Sequence, residues 1–198
     1  MTMTIAGRST LALLLLALSA CAKVPSAEPV APSAPATPLA AYQIVDNLCE
    51  RLDHAWLQEL AGVPPKLKTF EPLPGKENHG MCHAGAGSTD RRTLILVRIS
   101  TTVERAEPAD IGLPKNARQL SGVGDRAWIK FGKPITHPNE QFGGETTLRI
   151  DDLMVAAGPA RVSVTISLDA PSVPEESAAE ALLTAYARRS LELMAGGQ

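Results

Sequence analysis

The chain has 198 residues, a formal net charge of −2 at pH 7 and only 4% aromatic side chains. No run of Lys and Arg interrupts the near-neutral balance, which argues against nucleic acid or anionic lipid as the main partner. The scarcity of aromatics argues against a platform that stacks on sugar rings.

The first twenty residues follow secretory logic: Arg8 near the start, an apolar run over residues 11–18 ("LALLLLAL"), then the small residues Ser19 and Ala20. The run is far shorter than the ~20 apolar residues that span a bilayer. Residues 1–20 are therefore expected to be a removed signal peptide. "LSAC" at residues 18–21 resembles the lipobox of bacterial lipoproteins. That resemblance implies a lipid on Cys21, which becomes the first residue of the mature chain. Ordinary secretion with a free Cys21 is the alternative, and it leaves an odd exposed thiol in an exported protein.

Residues 21–40 carry Pro25, Pro29, Pro32, Pro35 and Pro38 among Ala and Ser. Proline fixes φ and disfavours helix in the residue before it, so this stretch reads as a semi-extended tether. At ~3.1 Å per residue it reaches roughly 60 Å at most. Residues 41–198 are then one extracytoplasmic domain.

Setting Cys21 aside leaves Cys49 and Cys82, an even pair in an oxidising compartment, and a disulfide is expected between them. Neither lies in a C-x-x-C motif, which argues against redox exchange.

Within the domain, Val45, Leu48, Leu52, Trp56 and Leu60 fall at spacings of three and four, one apolar helical face. Asp53 can cap a second helix inside this stretch, so one long helix and a turn followed by a helix both fit. Gly62, Pro64 and Pro65 end it. "NHGMCHAGAGSTD" reads as an exposed Gly-rich loop. Residues 92–103 ("RTLILVRISTTV") are β-branched and read as a central strand. In "RAWIKFG", Ala127, Ile129 and Phe131 share one strand face and Trp128 and Lys130 the other. Residues 146–158 and 160–168 flank Gly158 and Pro159 as an antiparallel hairpin, with Asp151 and Asp152 suggesting a bulge or an exposed edge. The last helix is expected to begin at "SVPEE", with Ser172 as cap and Pro174 in the first turn, and to run to Leu193. The fold class is α+β: an antiparallel sheet with an N-terminal and a C-terminal helix packed on one face.

This order of features resembles a family of actinobacterial envelope lipoproteins, domain-of-unknown-function family 3558. The residues that carry the likeness are Cys21 and its tether, "NLCERL" before a helix ending in "LAG", Cys82, "GVGDRAW" at residues 122–128, and the closing hairpin and helix. The likeness implies location and fold and is silent on activity. One departure is that His83 and Ala84 follow the second cysteine, where similar proteins often carry an aromatic.

Chemistry is sparse. His79, Cys82 and His83 lie within five residues, with His54 and His137 elsewhere, but a disulfide-bonded Cys82 has no thiolate to give a metal. "GAGSTD" lacks the Lys of a phosphate loop, and no G-x-S-x-G elbow supports Ser88 or Ser121 as a nucleophile. Asp151 with Asp152 point to opposite strand faces, and Glu175 with Glu176 suit a helix start. Trp56 is expected in the core and Trp128 on a possible binding surface. We therefore expect no cofactor, no metal and no catalytic residue. The expected function is a membrane-anchored lipoprotein of the cell envelope that binds an envelope protein or a small ligand. A lipid or glycolipid carrier and an envelope enzyme with a dispersed site are the alternatives.

Overall fold

The computed structural model describes residues 42–70, 74–75, 77–104, 111–139 and 144–196, all within one compact unit, Thr37–Gln198. A 3-10 turn, Leu48–Arg51, and a short helix α1, Ala55–Ala61, precede the strands. The strands are β1 (Lys66–Phe70), β2 (His79–Gly87), β3 (Leu94–Val103), β4 (Arg118–Leu120), β5 (Arg126–Phe131), β6 (Ile135–Pro138), β7 (Glu145–Ala157) and β8 (Ala160–Ala170). Helix α2, Glu176–Gly196, closes the domain. The sheet runs β1-β2-β3-β8-β7-β5-β4 with β6 also on β7, and all of its pairings are antiparallel. The expected α+β architecture is observed.

Alternation explains why the sheet has one covered face. In β8, Ala160, Val162, Val164, Ile166, Leu168 and Ala170 are buried, while Arg161, Ser163, Thr165, Ser167 and Asp169 point the other way. Register carries that face across five strands as the row Cys82, Ile99, Val164, Leu153 and Ile129, each no more than 1% exposed. Burying each such Val, Leu or Ile is worth about 1.5–3 kcal/mol. Helix α2 lies over β8 and β7 and fills this layer with Leu183, Ala187 and Met194, all fully buried.

Several local expectations change. The first helical stretch is the broken alternative: Asp53 Oδ1 accepts the Ala55 N–H (2.9 Å), and the chain re-enters helix only at Ala55. The break resets the helical phase. Leu57 and Ala61 turn inward, and Leu60, expected on the buried face, is 47% exposed. The Gly-rich loop is instead strand β2, with only Ser88 to Asp90 in the turn that follows. Its inward positions are Gly80, Cys82, Ala84 and Ala86, small because the 3-10 turn sits directly against them. A Cβ on Gly80 would lie 2.8 Å from Thr101 Oγ1.

Strand β7 runs unbroken through Asp151 and Asp152. The irregularity is on its partner, where residues 132–134 between β5 and β6 face only residues 149 and 150, a bulge. Gly132 is required there, since a Cβ would sit 2.3 Å from the Ile150 carbonyl oxygen. Helix α2 starts at Glu176, its first amides (Ala178, Ala179) donating to the Glu175 carbonyl. Pro174 therefore precedes the helix, and its carbonyl accepts from Arg149 Nη1 (2.7 Å) instead of entering a helical turn.

Cys49 and Cys82 are bonded, with Cα atoms 5.1 Å apart, and both are fully buried. The closed loop of 33 residues implies about 3–4 kcal/mol of stabilisation in the chain-entropy model. Replacing both cysteines with Ser should lower the unfolding free energy by about that amount. Urea denaturation checks this, and reductant should then shift the parent domain but not the variant.

Candidate functional site

The residues singled out in sequence are dispersed by the fold. Cys21 lies outside the described residues. Cys82 faces the helices, whereas His79 and His83 face the opposite side of β2. The two histidines are four residues apart on one strand, a separation of about 13 Å. His79 is bonded by Thr102 Oγ1 (3.1 Å) and Ser100 Oγ (3.3 Å), and His83 packs edge-on against Phe70 with centroids 4.6 Å apart. Among the described residues, no three His, Cys, Asp or Glu side chains gather closely enough to hold a metal. Ser88 bonds Asp90 within the β2–β3 turn, and Ser121 is exposed.

Asp151 is buried and faces the helices, while Asp152 points outward and accepts from Thr165 Oγ1 (2.8 Å). Arg149 Nε donates to Asp151 Oδ2 (2.9 Å), and both side chains are at least nine-tenths buried. Burial pushes the Asp151 carboxyl above its ordinary value, opposed by the adjacent guanidinium and the Gly132 N–H. This pair ties the start of α2 to β7.

A second network was not read from the sequence. His54 Nε2 lies 3.0 Å from the Cys49 carbonyl, so this nitrogen must carry the proton and Nδ1 must accept. The Tyr186 hydroxyl donates to that Nδ1 (2.8 Å) and accepts from Trp56 Nε1 (2.8 Å). Burial lowers the His54 pKa from its ordinary value and raises that of the Tyr186 phenol, keeping both neutral. Trp56 is thus half-buried rather than core. Beside it a groove of about 370 Å³ lies between α1 and α2, lined by Leu52, Leu182 and Tyr186 with Asp53, Glu59 and Arg189 among its other walls.

Trp128 sits on the uncovered face of the sheet, half-buried, its Nε1 donating to the Ile111 carbonyl at 3.4 Å. A shallow cavity of about 120 Å³ adjoins it, lined also by Leu113, Gln119 and Arg126. Cross-strand register orders the rest of this face. One row reads Lys68, His83, Arg98, Thr165, Asp152 and Lys130. Two rows toward one end of the strands hold Leu96, Ser167 and Ile150, then Leu94, Asp169, Leu148 and Ile135. These cations lie far apart in sequence, so the absence of a linear Lys/Arg run concealed their gathering on one face. No protein-family model matches the chain, and no curated protein does so.

Removing the Tyr186 hydroxyl strands the Trp56 N–H and His54 Nδ1 in a buried site. Tyr186→Phe should cost about 1–3 kcal/mol in thermal or chemical unfolding while leaving the far-ultraviolet spectrum unchanged. The same burial makes stability pH-dependent. His54 and His83 both have folded values below 6.5, their ordinary value, so the unfolded chain binds protons first. Stability should be full above about pH 6.5 and fall as the pH drops below it toward the folded values. Unfolding midpoints measured across this window should lose part of that slope in His54→Gln and in His83→Gln.

Proposed function

We propose that this protein is an extracytoplasmic lipoprotein, fastened to the membrane through Cys21 and a Pro/Ala tether, whose α+β domain is a non-catalytic binding module. The observation that carries the binding reading is the open face of the sheet. Among the described residues the helices cover one side, and the other presents Lys68, Arg98 and Lys130, exposed aliphatic side chains and the half-buried Trp128. The anchor reading rests on the "LSAC" stretch and the apolar run before it, and the likeness to the actinobacterial envelope lipoprotein family rests on the order of motifs. The disulfide is consistent with an oxidising compartment.

The alternatives draw less support. A carrier needs an enclosed apolar cavity, whereas the layer between sheet and helices is filled by Leu57, Leu183 and Met194. A dispersed enzyme site would draw on the histidines, and His54, His79 and His83 are engaged in packing and hydrogen bonds within the sheet and helical layer.

The anchor is tested in the cell of origin by fractionation. The full-length protein should be found in the membrane fraction and should take up labelled palmitate. Cys21→Ala should abolish labelling and move the protein out of that fraction, and a variant that stayed membrane-bound would overturn the anchor.

A further inference from the structure

We infer that the open face of the sheet docks on the surface of an anionic lipid bilayer. The inference names the partner of the face read above as the binding surface, and it does not depend on the anchor.

The first argument is charge. Residues 41–198 hold 17 basic and 20 acidic residues, so the domain as a whole is acidic. Yet the open face carries Lys66, Lys68, Arg98 and Lys130 against Asp152 and Asp169. Among the described residues none of these four cations has a carboxylate within ion-pair distance. Asp152 is bonded by Thr165, and Asp169 faces His137 Nε2 at 3.3 Å. His83 lies between Lys68 and Arg98, and its buried Nε2 has no hydrogen-bond partner. Four cations against two carboxylates, of which Asp152 stands directly across from Lys130, give this face of an otherwise acidic domain an excess of positive charge complementary to an anionic surface.

The second argument is apolar exposure. Of the seven large hydrophobic side chains left exposed among the described residues, four are on this face: Leu94 (62%), Ile135 (58%), Ile150 (45%) and Leu96 (44%). They occupy two adjacent rows at one end of the strands, and the Lys68–Arg98–Lys130 row lies immediately behind them, one side-chain repeat or about 7 Å away. Gly85 and Gly87 leave the β2 surface without side chains beside Leu96 and Leu94, whose Cδ1 atoms lie over that bare backbone.

Aliphatic groups in front, flanked by Lys66 at the β1 edge of the Leu96 row and with the other three cations one repeat behind, match a bilayer interface, where apolar side chains enter the acyl boundary and Lys and Arg meet the phosphates. A nucleic acid would use the cations and leave the aliphatic rows in water. A second copy of this face would set like charges against each other.

The test uses the chain from Thr37 to Gln198, which contains the compact unit and its core but not Cys21, so failure here is separable from failure of the anchor. Co-sedimentation with vesicles of phosphatidylglycerol mixed with phosphatidylcholine should show binding that weakens with salt, and vesicles of phosphatidylcholine alone should show little. Lys68→Ala and Arg98→Ala should each weaken binding about fivefold. Leu96→Ser should weaken it about tenfold or more. Arg189→Glu, on the helical side, should leave binding within about twofold of the parent despite its reversal of charge. Equal binding to both vesicle types, no binding to either, or binding that survives Lys68→Ala with Arg98→Ala would overturn the inference. Direct binding of free glycerol phosphate without vesicle binding would also overturn it, because it identifies a soluble anion as the ligand. Each variant alters an exposed side chain, and an unchanged unfolding midpoint shows that the loss is not one of folding.

Discussion

The bond between Cys49 and Cys82 fastens the least self-sufficient part of the fold, the N-terminal helical segment, to the sheet. The 3-10 turn has 4 residues and α1 has 7, both too short to hold helical structure in water without tertiary support. The disulfide sets the turn directly on β2, where Gly80, Ala84 and Ala86 leave room for it. From there the constraint passes outward by hydrogen bonds. The Cys49 carbonyl accepts from His54, His54 accepts from Tyr186, and Tyr186 accepts from Trp56. A single covalent link thus positions the turn from which a hydrogen-bond relay reaches α1 and, through one phenol, α2.

With both helical segments committed to one side, the sheet has a covered face and an open one, and the two obey different rules. The covered face is mostly aliphatic packing, with Thr101, Ser190 and His54 buried in it and, at one end, the charged pair Arg149 and Asp151 buried together. A buried ion pair is weak evidence for stability because desolvation offsets most of the attraction. Its geometry here has another consequence. Arg149 reaches the Pro174 carbonyl and Asp151 accepts the Gly132 N–H, so one pair fixes both the start of α2 and the bulge between β5 and β6. Polar groups with directional bonds can specify such a register where interchangeable aliphatic contacts cannot.

The sequence made the fold class, the strongest strands, the hairpin at Gly158 and the disulfide pair legible, because alternation and cysteine number are local or countable signals. What escaped it depended on partners distant in the chain. β1, β4 and β6 are short edge or broken strands with little alternation of their own, and they exist because β2, β5 and β7 offer open hydrogen-bonding edges. β2 resembled a loop because its inward residues are small, and they are small for the disulfide and turn that pack on them. Trp128 was correctly placed opposite Ile129, but the surface around it was invisible. Lys68, Arg98 and Lys130 become neighbours in one row only once strand order and register are known. Tyr186 likewise looked like one more residue of an apolar helix face until His54 and Trp56 were brought to its hydroxyl.

The open face and the proposed tether also make sense of each other energetically. A handful of interfacial cations and four aliphatic side chains give modest affinity, since each exposed cation near an anionic surface contributes about 1 kcal/mol. For a free domain this is weak association. A domain on the proposed tether would be confined within roughly 60 Å of the membrane, where short flexible linkers give effective concentrations in the millimolar range. At that concentration weak contact suffices to set which face meets the lipid and which meets the surroundings. The groove between α1 and α2, on the side of the sheet away from the cations, would then be the surface turned outward. Orientation, rather than retention, is what such a face would contribute to a protein held by the proposed anchor.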